Sequence, residues 1–189
     1  MSNLKLNPEP PIGFNKKSFG DLTLIEEDNF SIVSVSLSID RLPAFKKFVL
    51  DNFKTNIPEV GKSKFTKNKN MRIIGLQPGQ FFILFERNSH HPVNEIKNMF
   101  GNDLFYSDQS DSWSVITISG NTILNALERI CQLDLSLENF KVNDAQRTSM
   151  EHIGVILIRV DKNEFLLFSP RSSCSSFFHA LTTSAKNIL

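Results

Sequence analysis

The sequence predicts an α+β fold of two tandem ferredoxin-like (split βαβ) units packed together, with an extended N-terminal tail. Three observations carry the prediction. MRIIGLQPGQFFILFERNSHHPVNEIKNMF reads as strand, glycine-containing turn, apolar strand and amphipathic helix, and the same order returns about 80 residues later in EHIGVILIRVDKNEFLLFSPRSSCSSFFHALTTSA. Each copy follows a strand and a helix of its own, FSIVSVSLSI with DRLPAFKKFVLDNF and WSVITISG with NTILNALERICQL. The chain of 189 residues is 40% hydrophobic and 22% charged, which is ordinary globular usage and enough to bury a real core. Residues 1–28 are assigned to the tail, 29–109 to the first unit and 110–189 to the second, all within one compact domain.

Each element rests on its own pattern. Residues 1–28 mix Pro8, Pro10, Pro11, Gly13 and Gly20 with charges, and such a tail orders only against something else. From Phe30, Val33, Val35, Leu37 and Ile39 alternate with Ser34, Ser36 and Ser38, the period-two signature of a half-buried strand. Asp40 is placed to cap the following helix, whose Leu42, Phe45, Val49 and Phe53 share a face and whose Pro43 sits early enough to be tolerated. MRIIGL and FFILFE flank a turn at Gln77-Pro78-Gly79, a helix spans 92–100, and DLFYS closes the unit. In the second unit WSVITISG leads to a helix over 121–133 with Ile123, Leu127, Ile130 and Cys131 on one face. A hairpin turning at Asp161 to Asn163 follows, then a helix carrying Cys174, Phe177, Phe178, Leu181, Ala185 and Ile188, and no closing strand. The hairpin strands are apolar at successive residues, so both of their faces need cover, from helices on one side and the other half of the molecule on the other.

Composition narrows the function classes. The net charge is +1, split as +4 over residues 1–99 and −3 over 100–189; such a dipole can steer docking against a partner, but both values are small and the charges are assigned to a solvated surface. Cys131 and Cys174 both fall in helical patterns and read as buried thiols of a reducing compartment. The chain opens with a polar, proline-rich MSNLKLNPEPPIGF rather than a signal segment, and no apolar run approaches a membrane span, so a cytoplasmic protein is expected. Seventeen phenylalanines against one tryptophan and one tyrosine make Phe the main bulky core residue.

Chemistry-bearing motifs are sparse. Gly61-Lys62-Ser63 has the ending of a phosphate-binding loop, but the position that should open its glycine cradle is Asn56 and Pro58 intervenes, so KSKFTKNKN reads as a polar crossover loop. FFILF on a ferredoxin-like strand invites base stacking, yet the glycine–aromatic pattern that would expose it is missing, and Phe81, Phe82 and Phe85 are assigned to the core. His90 and His91 adjoin in a turn without a carboxylate or thiol at ligand spacing, and His152 and His179 stand alone, so no metal site is expected. No nucleophile carries an elbow or triad motif, and SPRSSCSS reads as a helix start that Ser172 or Ser173 caps, leaving no expected catalytic residue. Arg147 and Arg171, at the edges of the apolar hairpin, are the candidates to bind a carboxylate or pair across an interface, with an intramolecular salt bridge as the alternative.

The block DSWSVITISGNTILNALERICQLDLSLENF, AQRTSMEHIGVILIRV and EFLLFSPRSSCSSFFHAL resembles the gamma subunit family of heterotetrameric sarcosine oxidase. The resemblance covers residues 110–182, with LTLIEEDNFSIVSVSL and MRIIGLQPGQFFILFE fitting upstream in order and spacing. Its markers are CQLDLSLENF, Arg147-Thr148, the strand after His152, and Pro170-Arg171-Ser172. Ser173-Cys174-Ser175 and Phe177-Phe178-His179 depart from the family, where aromatic and Trp residues are usual, and keep helix character. The resemblance implies the folate-binding superfold of the glycine-cleavage T-protein, in agreement with the two units. It further implies a noncatalytic subunit in a complex with alpha, beta and delta subunits, docked chiefly on alpha. That complex oxidises sarcosine to glycine and forms hydrogen peroxide and methylenetetrahydrofolate. FAD, FMN and NAD sites are implied in alpha and beta and zinc in delta, with tetrahydrofolate as co-substrate and no cofactor in this chain. The competing reading is a free-standing folate-binding or aminomethyltransferase-like protein using Arg147 or Arg171 against the folate glutamate tail. A Lys-Gly-Cys-Tyr motif, expected of a stand-alone iron–sulfur-maintenance relative, is absent.

Overall fold

The computed structural model describes residues 9–13, 16–68 and 70–189. Among them, eleven strands make two antiparallel sheets. The strands are β1 (Lys16–Phe19), β2 (Leu22–Glu27), β3 (Phe30–Ser36), β4 (Ser63–Phe65), β5 (Met71–Gln77), β6 (Gln80–Glu86), β7 (Phe105–Asp108), β8 (Trp113–Ser119), β9 (Ala145–Met150), β10 (Ile153–Asp161) and β11 (Glu164–Pro170). The helices are α1 (Leu42–Phe53), α2 (Pro92–Phe100), α3 (Ile123–Leu127) and α4 (Cys174–Lys186).

The first sheet runs β4-β5-β6-β3-β7 and the second β1-β2-β8-β11-β10-β9. In the first, β7-β3-β6-β5 places the fourth, first, third and second strands of the unit side by side, which is the ferredoxin-like order. In the second, β8, β10 and β11 take the first, second and third places, with β9 outside β10 as β4 lies outside β5, and the fourth place is taken by β2, which pairs antiparallel with β8 from Thr23–Ser119 to Glu27–Val115. The segment assigned to an extended tail therefore supplies the closing strand that the second unit lacks, with β1 outside it. Residues 1–8, 14 and 15 of that expected tail lie outside the described residues.

This N-terminal segment is fastened by polar contacts as well as by the ladder. Glu26, 5% exposed, accepts hydrogen bonds from the Ile12 and Gly13 amides at 2.9 and 2.8 Å. Asp21, in the turn between β1 and β2, accepts from the Asn121 and Thr122 amides at 2.6 and 3.0 Å and from the Thr122 hydroxyl. It thus holds the turn that leads into α3 from 100 residues away, and the Thr122 hydroxyl bond is the main reason its carboxyl is held below the usual carboxylate range.

The two sheets lie face to face with helices outside. In β10, Val155 and Leu157 join the core under α3 and α4, while Ile156 and Ile158 join the layer between the sheets. β11 divides in the same way, Phe165 and Leu167 outward and Leu166 and Phe168 inward. In β6, Phe81, Ile83 and Phe85 face α1 and α2 while Phe82 and Leu84 face the second sheet. The expected two-sided cover is thus present, and Phe81, Phe82 and Phe85 are core residues. Phe45, Phe48, Phe53, Phe81 and Phe100 make a continuous ring cluster under α1, with Phe53 stacked on Phe100 at 4.7 Å.

Several local expectations are corrected. The helix expected over 121–133 is α-helical only from Ile123 to Leu127, because Cys131 leaves it to bridge Met150 beside β9. Neither Asp40 nor Ser172 or Ser173 caps a helix with its side chain; a 3-10 turn leads into α1 and another into α4. The strand expected at DLFYS, 103–107, begins two residues later and ends one later, as β7. Residues 63–65 of the expected crossover loop form β4 against β5, and Lys69 of that loop lies outside the described residues. Residues 145–150 form β9, and its hairpin to β10 turns on Glu151 and His152, both at positive φ as a two-residue type I′ loop requires. Cys131 and Cys174 are buried and free, and burial raises the Cys131 thiol pKa.

Two predictions follow from this architecture. Leu24 is fully buried on β2, and Leu24→Ala is expected to lower stability by about 2–5 kcal/mol in urea unfolding; a change near zero would mean that β2 is a detachable tail. Tyr106, the single tyrosine, donates to the Gly101 carbonyl at 2.6 Å, and burial, aided by Asp103, pushes its pKa up to about 12. Because the folded pKa lies above the unfolded one, the folded state is favoured in full below about pH 10, and that contribution is lost as pH climbs through about 12. Phenolate absorbance should therefore titrate near 12 in buffer and near 10 in denaturant.

Candidate functional site

The period-two rule that builds the layer between the sheets also fixes what happens where its apolar residues run out. Ile32, Ile74, Phe82, Leu84, Val115, Ile156, Ile158, Leu166 and Phe168 fill the middle. Toward one end the same inward positions are held by Glu27 on β2, Thr117 on β8, Glu164 on β11, Arg72 on β5 and Glu86 on β6. Polar side chains cannot interdigitate as Ile and Phe do, and the sheets leave a cavity of about 600 Å³. Its walls are Glu27, Thr117, Asp161 and Glu164 from the second sheet, Arg72 and Glu86 from the first with Glu95 of α2 beside them, and Phe30, Leu84, Val160 and Leu166 between. Phe65 and Met99, 43% and 41% exposed, stand at its edge.

Arg72 is the unusual member. It is 3% exposed, and its neighbours on β5, Met71 and Ile73, pack toward the helices, which sends its own side chain between the sheets. Nη1 donates to Ser63 Oγ at 2.8 Å and to Asn143 Oδ1 at 3.2 Å, and the guanidinium lies 4.0 Å from the centre of the Phe65 ring. Its Nε has no hydrogen-bond partner, and no carboxylate is within ion-pair distance among the described residues. Burial lowers its pKa to about 10, and the more distant Glu164 only partly opposes this. Across the cavity, burial raises the Glu164 pKa, repulsion from Asp161 and Glu27 adds to the rise, and Arg72 opposes it. Glu27 accepts from the Thr117 hydroxyl at 2.5 Å.

The support under Arg72 comes from the seam between the two halves. Ser63 N donates to the Asn143 carbonyl at 2.7 Å, Ala145 N to the Gly61 carbonyl at 2.9 Å, and Lys62 Nζ sits 2.5 Å from Asp144 Oδ1. Gly61-Lys62-Ser63 therefore serves as a joint, with its lysine committed to a carboxylate. The segment before it rests directly on β5: a Cβ at Gly75 would lie 2.3 Å from the Glu59 carbonyl oxygen. Gly75 N donates to the Lys62 carbonyl at 2.9 Å and its own carbonyl accepts from Gly61 N at 3.0 Å.

The arginines singled out from the sequence lie elsewhere. Arg147 is exposed on β9 and lines a separate hollow of about 240 Å³ with Ser34, Gly75 and Phe82. Arg171 follows β11 and donates through Nη2 to the Glu9 carbonyl at 2.9 Å. Its Nη1 is 3.9 Å from Asp111, an exposed pair of little energetic weight. The two do not converge on one ligand position. His90 and His91 precede α2, His152 is in the β9–β10 turn, and the described residues contain no group of three metal-ligating side chains. Sequence reasoning passed over Arg72, Glu27 and Glu164; the available signal was Arg72, a lone charge inside the apolar run MRIIGL.

No protein-family model and no curated protein matches the chain. Solved structures do. A chain of heterotetrameric sarcosine oxidase from Corynebacterium sp. U-96 superposes with a TM-score of 0.76 at 19% identity, over 92% of this chain and 88% of that one. Glycine cleavage system aminomethyltransferase T from Bartonella henselae superposes with a TM-score of 0.62 at 10% identity, over 85% of this chain and 45% of that one. The fold is thus the one shared by these two proteins, as the duplicated units imply.

Gly75→Ala should test the joint beneath Arg72. The added methyl must push the 58–62 backbone off β5, and a loss of about 1–3 kcal/mol is expected in urea unfolding; an unchanged midpoint would show that the joint is slack.

Proposed function

We propose that the chain is a noncatalytic subunit of the gamma type in a heterotetrameric sarcosine oxidase, docked chiefly on the alpha subunit. The observation that carries this reading is the end-to-end correspondence with one chain of such an oxidase, 92% of this chain against 88% of that one. The aminomethyltransferase likeness spans less than half of that protein, which favours a subunit-sized role over the full transferase activity. The surface is consistent with docking. Phe105 on the edge strand β7 is 76% exposed, and Ile39, three residues beyond its ladder partner Ser36, is 58% exposed. Exposed apolar residues beside an unpaired strand edge are a common form of protein contact. In this role the flavins, NAD, zinc and tetrahydrofolate act in the partner subunits, and this chain supplies a rigid docking body for the oxidative demethylation of sarcosine to glycine.

Co-expression with candidate alpha, beta and delta subunits tests the proposal. A tag on alpha should retain this chain in equal amount, and Phe105→Glu should reduce its recovery at least tenfold while leaving its own unfolding midpoint unchanged. Omission of the chain should lower the yield of assembled, sarcosine-oxidising complex. Full assembly and activity without it, or sarcosine oxidation by the chain alone, would overturn the reading.

A further inference from the structure

We propose that the cavity between the sheets is a binding site for a zwitterionic amino acid with a large apolar side chain. The inference is independent of the assembly role, since it rests on the interior of this chain.

The argument starts from Arg72. A guanidinium taken out of water is tolerated when a carboxylate or a full set of acceptors replaces its hydration. Here Nη1 finds two neutral oxygens, the ring of Phe65 covers one face, and Nε is left unpaired in a side chain 3% exposed. The missing partner is an anionic acceptor, and Arg suits a carboxylate better than any other cation because its planar fork matches two oxygens. The facing wall has the opposite deficit. Glu27, Asp161 and Glu164 line one side of the cavity; Glu27 accepts from the Thr117 hydroxyl and the exposed Asp161 from the Lys162 amide, and no lysine or arginine side chain of the described residues forms an ion pair with any of the three. Burial and mutual repulsion raise the Glu164 pKa, as expected of a carboxylate group short of a cation.

A bare cation would satisfy the acidic wall and leave Arg72 unpaired, while a bare anion would do the reverse and face the five carboxylates of the lining, Glu27, Glu86, Glu95, Asp161 and Glu164. A ligand with an ammonium and a carboxylate on one carbon serves both walls. Between them Phe30, Leu84, Val160 and Leu166 offer an apolar lining, and about 600 Å³ is far more than glycine or alanine fills. The exposed Phe65 and Met99 at the edge give such a side chain an apolar approach.

Isothermal titration of the full chain with L-phenylalanine tests this. Saturable one-to-one binding is expected. Phenethylamine, hydrocinnamate and glycine, which lack the carboxylate, the ammonium and the apolar group respectively, should each bind at least tenfold more weakly. Glu164→Gln should weaken phenylalanine at least tenfold, and Val160→Trp, which fills the cavity, should abolish binding, both with near-wild-type thermal unfolding. Absence of saturation at millimolar phenylalanine would overturn the proposal, as would binding unaffected by either variant. Phenethylamine binding as tightly as phenylalanine would replace the zwitterion with a simple amine and equally overturn it.

Discussion

Strands that are apolar on both faces impose the constraint from which the architecture follows. β6, β10 and β11 carry large side chains at successive positions, so each sheet must bury two surfaces. Helices cover one, and the sheets cover each other with the second. With about 25 cal/mol gained per Å² of apolar surface removed from water, neither half gains by standing alone with its inner face wet. The cavity is a by-product of the same constraint. Where the inward positions change from Ile, Leu and Phe to Glu27, Thr117, Glu164 and Arg72, the sheets can no longer close upon each other.

The second dependency is the order of the strands along the chain. The second unit takes its fourth strand from the N-terminus, so residues far apart in sequence must meet before that sheet is complete. Asp21 makes the meeting specific by holding the turn that leads into α3, while Glu26 holds the 12–13 backbone against β2. The seam at Lys62–Asp144 and Ser63–Asn143 ties the opposite edges, with Arg72 reaching across to Asn143. The N-terminal strand is thereby fastened to the second unit, and the second unit to the first.

Much of this is written locally in the sequence. The successive apolar residues of EHIGVILIRV and EFLLFS announce two-sided burial, and the spacing of Phe45 with Val49 or Phe177 with Leu181 announces helix faces. What is not legible depends on distant partners. LTLIEE looks like part of a charged tail because Glu26 occupies a core-facing position and is satisfied by amides that only the fold brings to it. The end of α3 is set by Cys131 pairing with Met150, which overrides the helical pattern of NALERICQL. The site is least legible, since Glu27 and Glu164 sit at strand ends where charges ordinarily mark turns. By contrast Arg147 and Arg171, which stand out in the sequence, lie at the surface.

The proposed subunit role rests on a fold that matches one chain of a heterotetrameric oxidase along nearly its whole length. The most direct measurement is affinity purification of the tagged chain from its native host, with mass spectrometry and an absorption spectrum of the eluate. The account predicts three stoichiometric partners and a flavin spectrum. A colourless eluate containing this chain alone would contradict it.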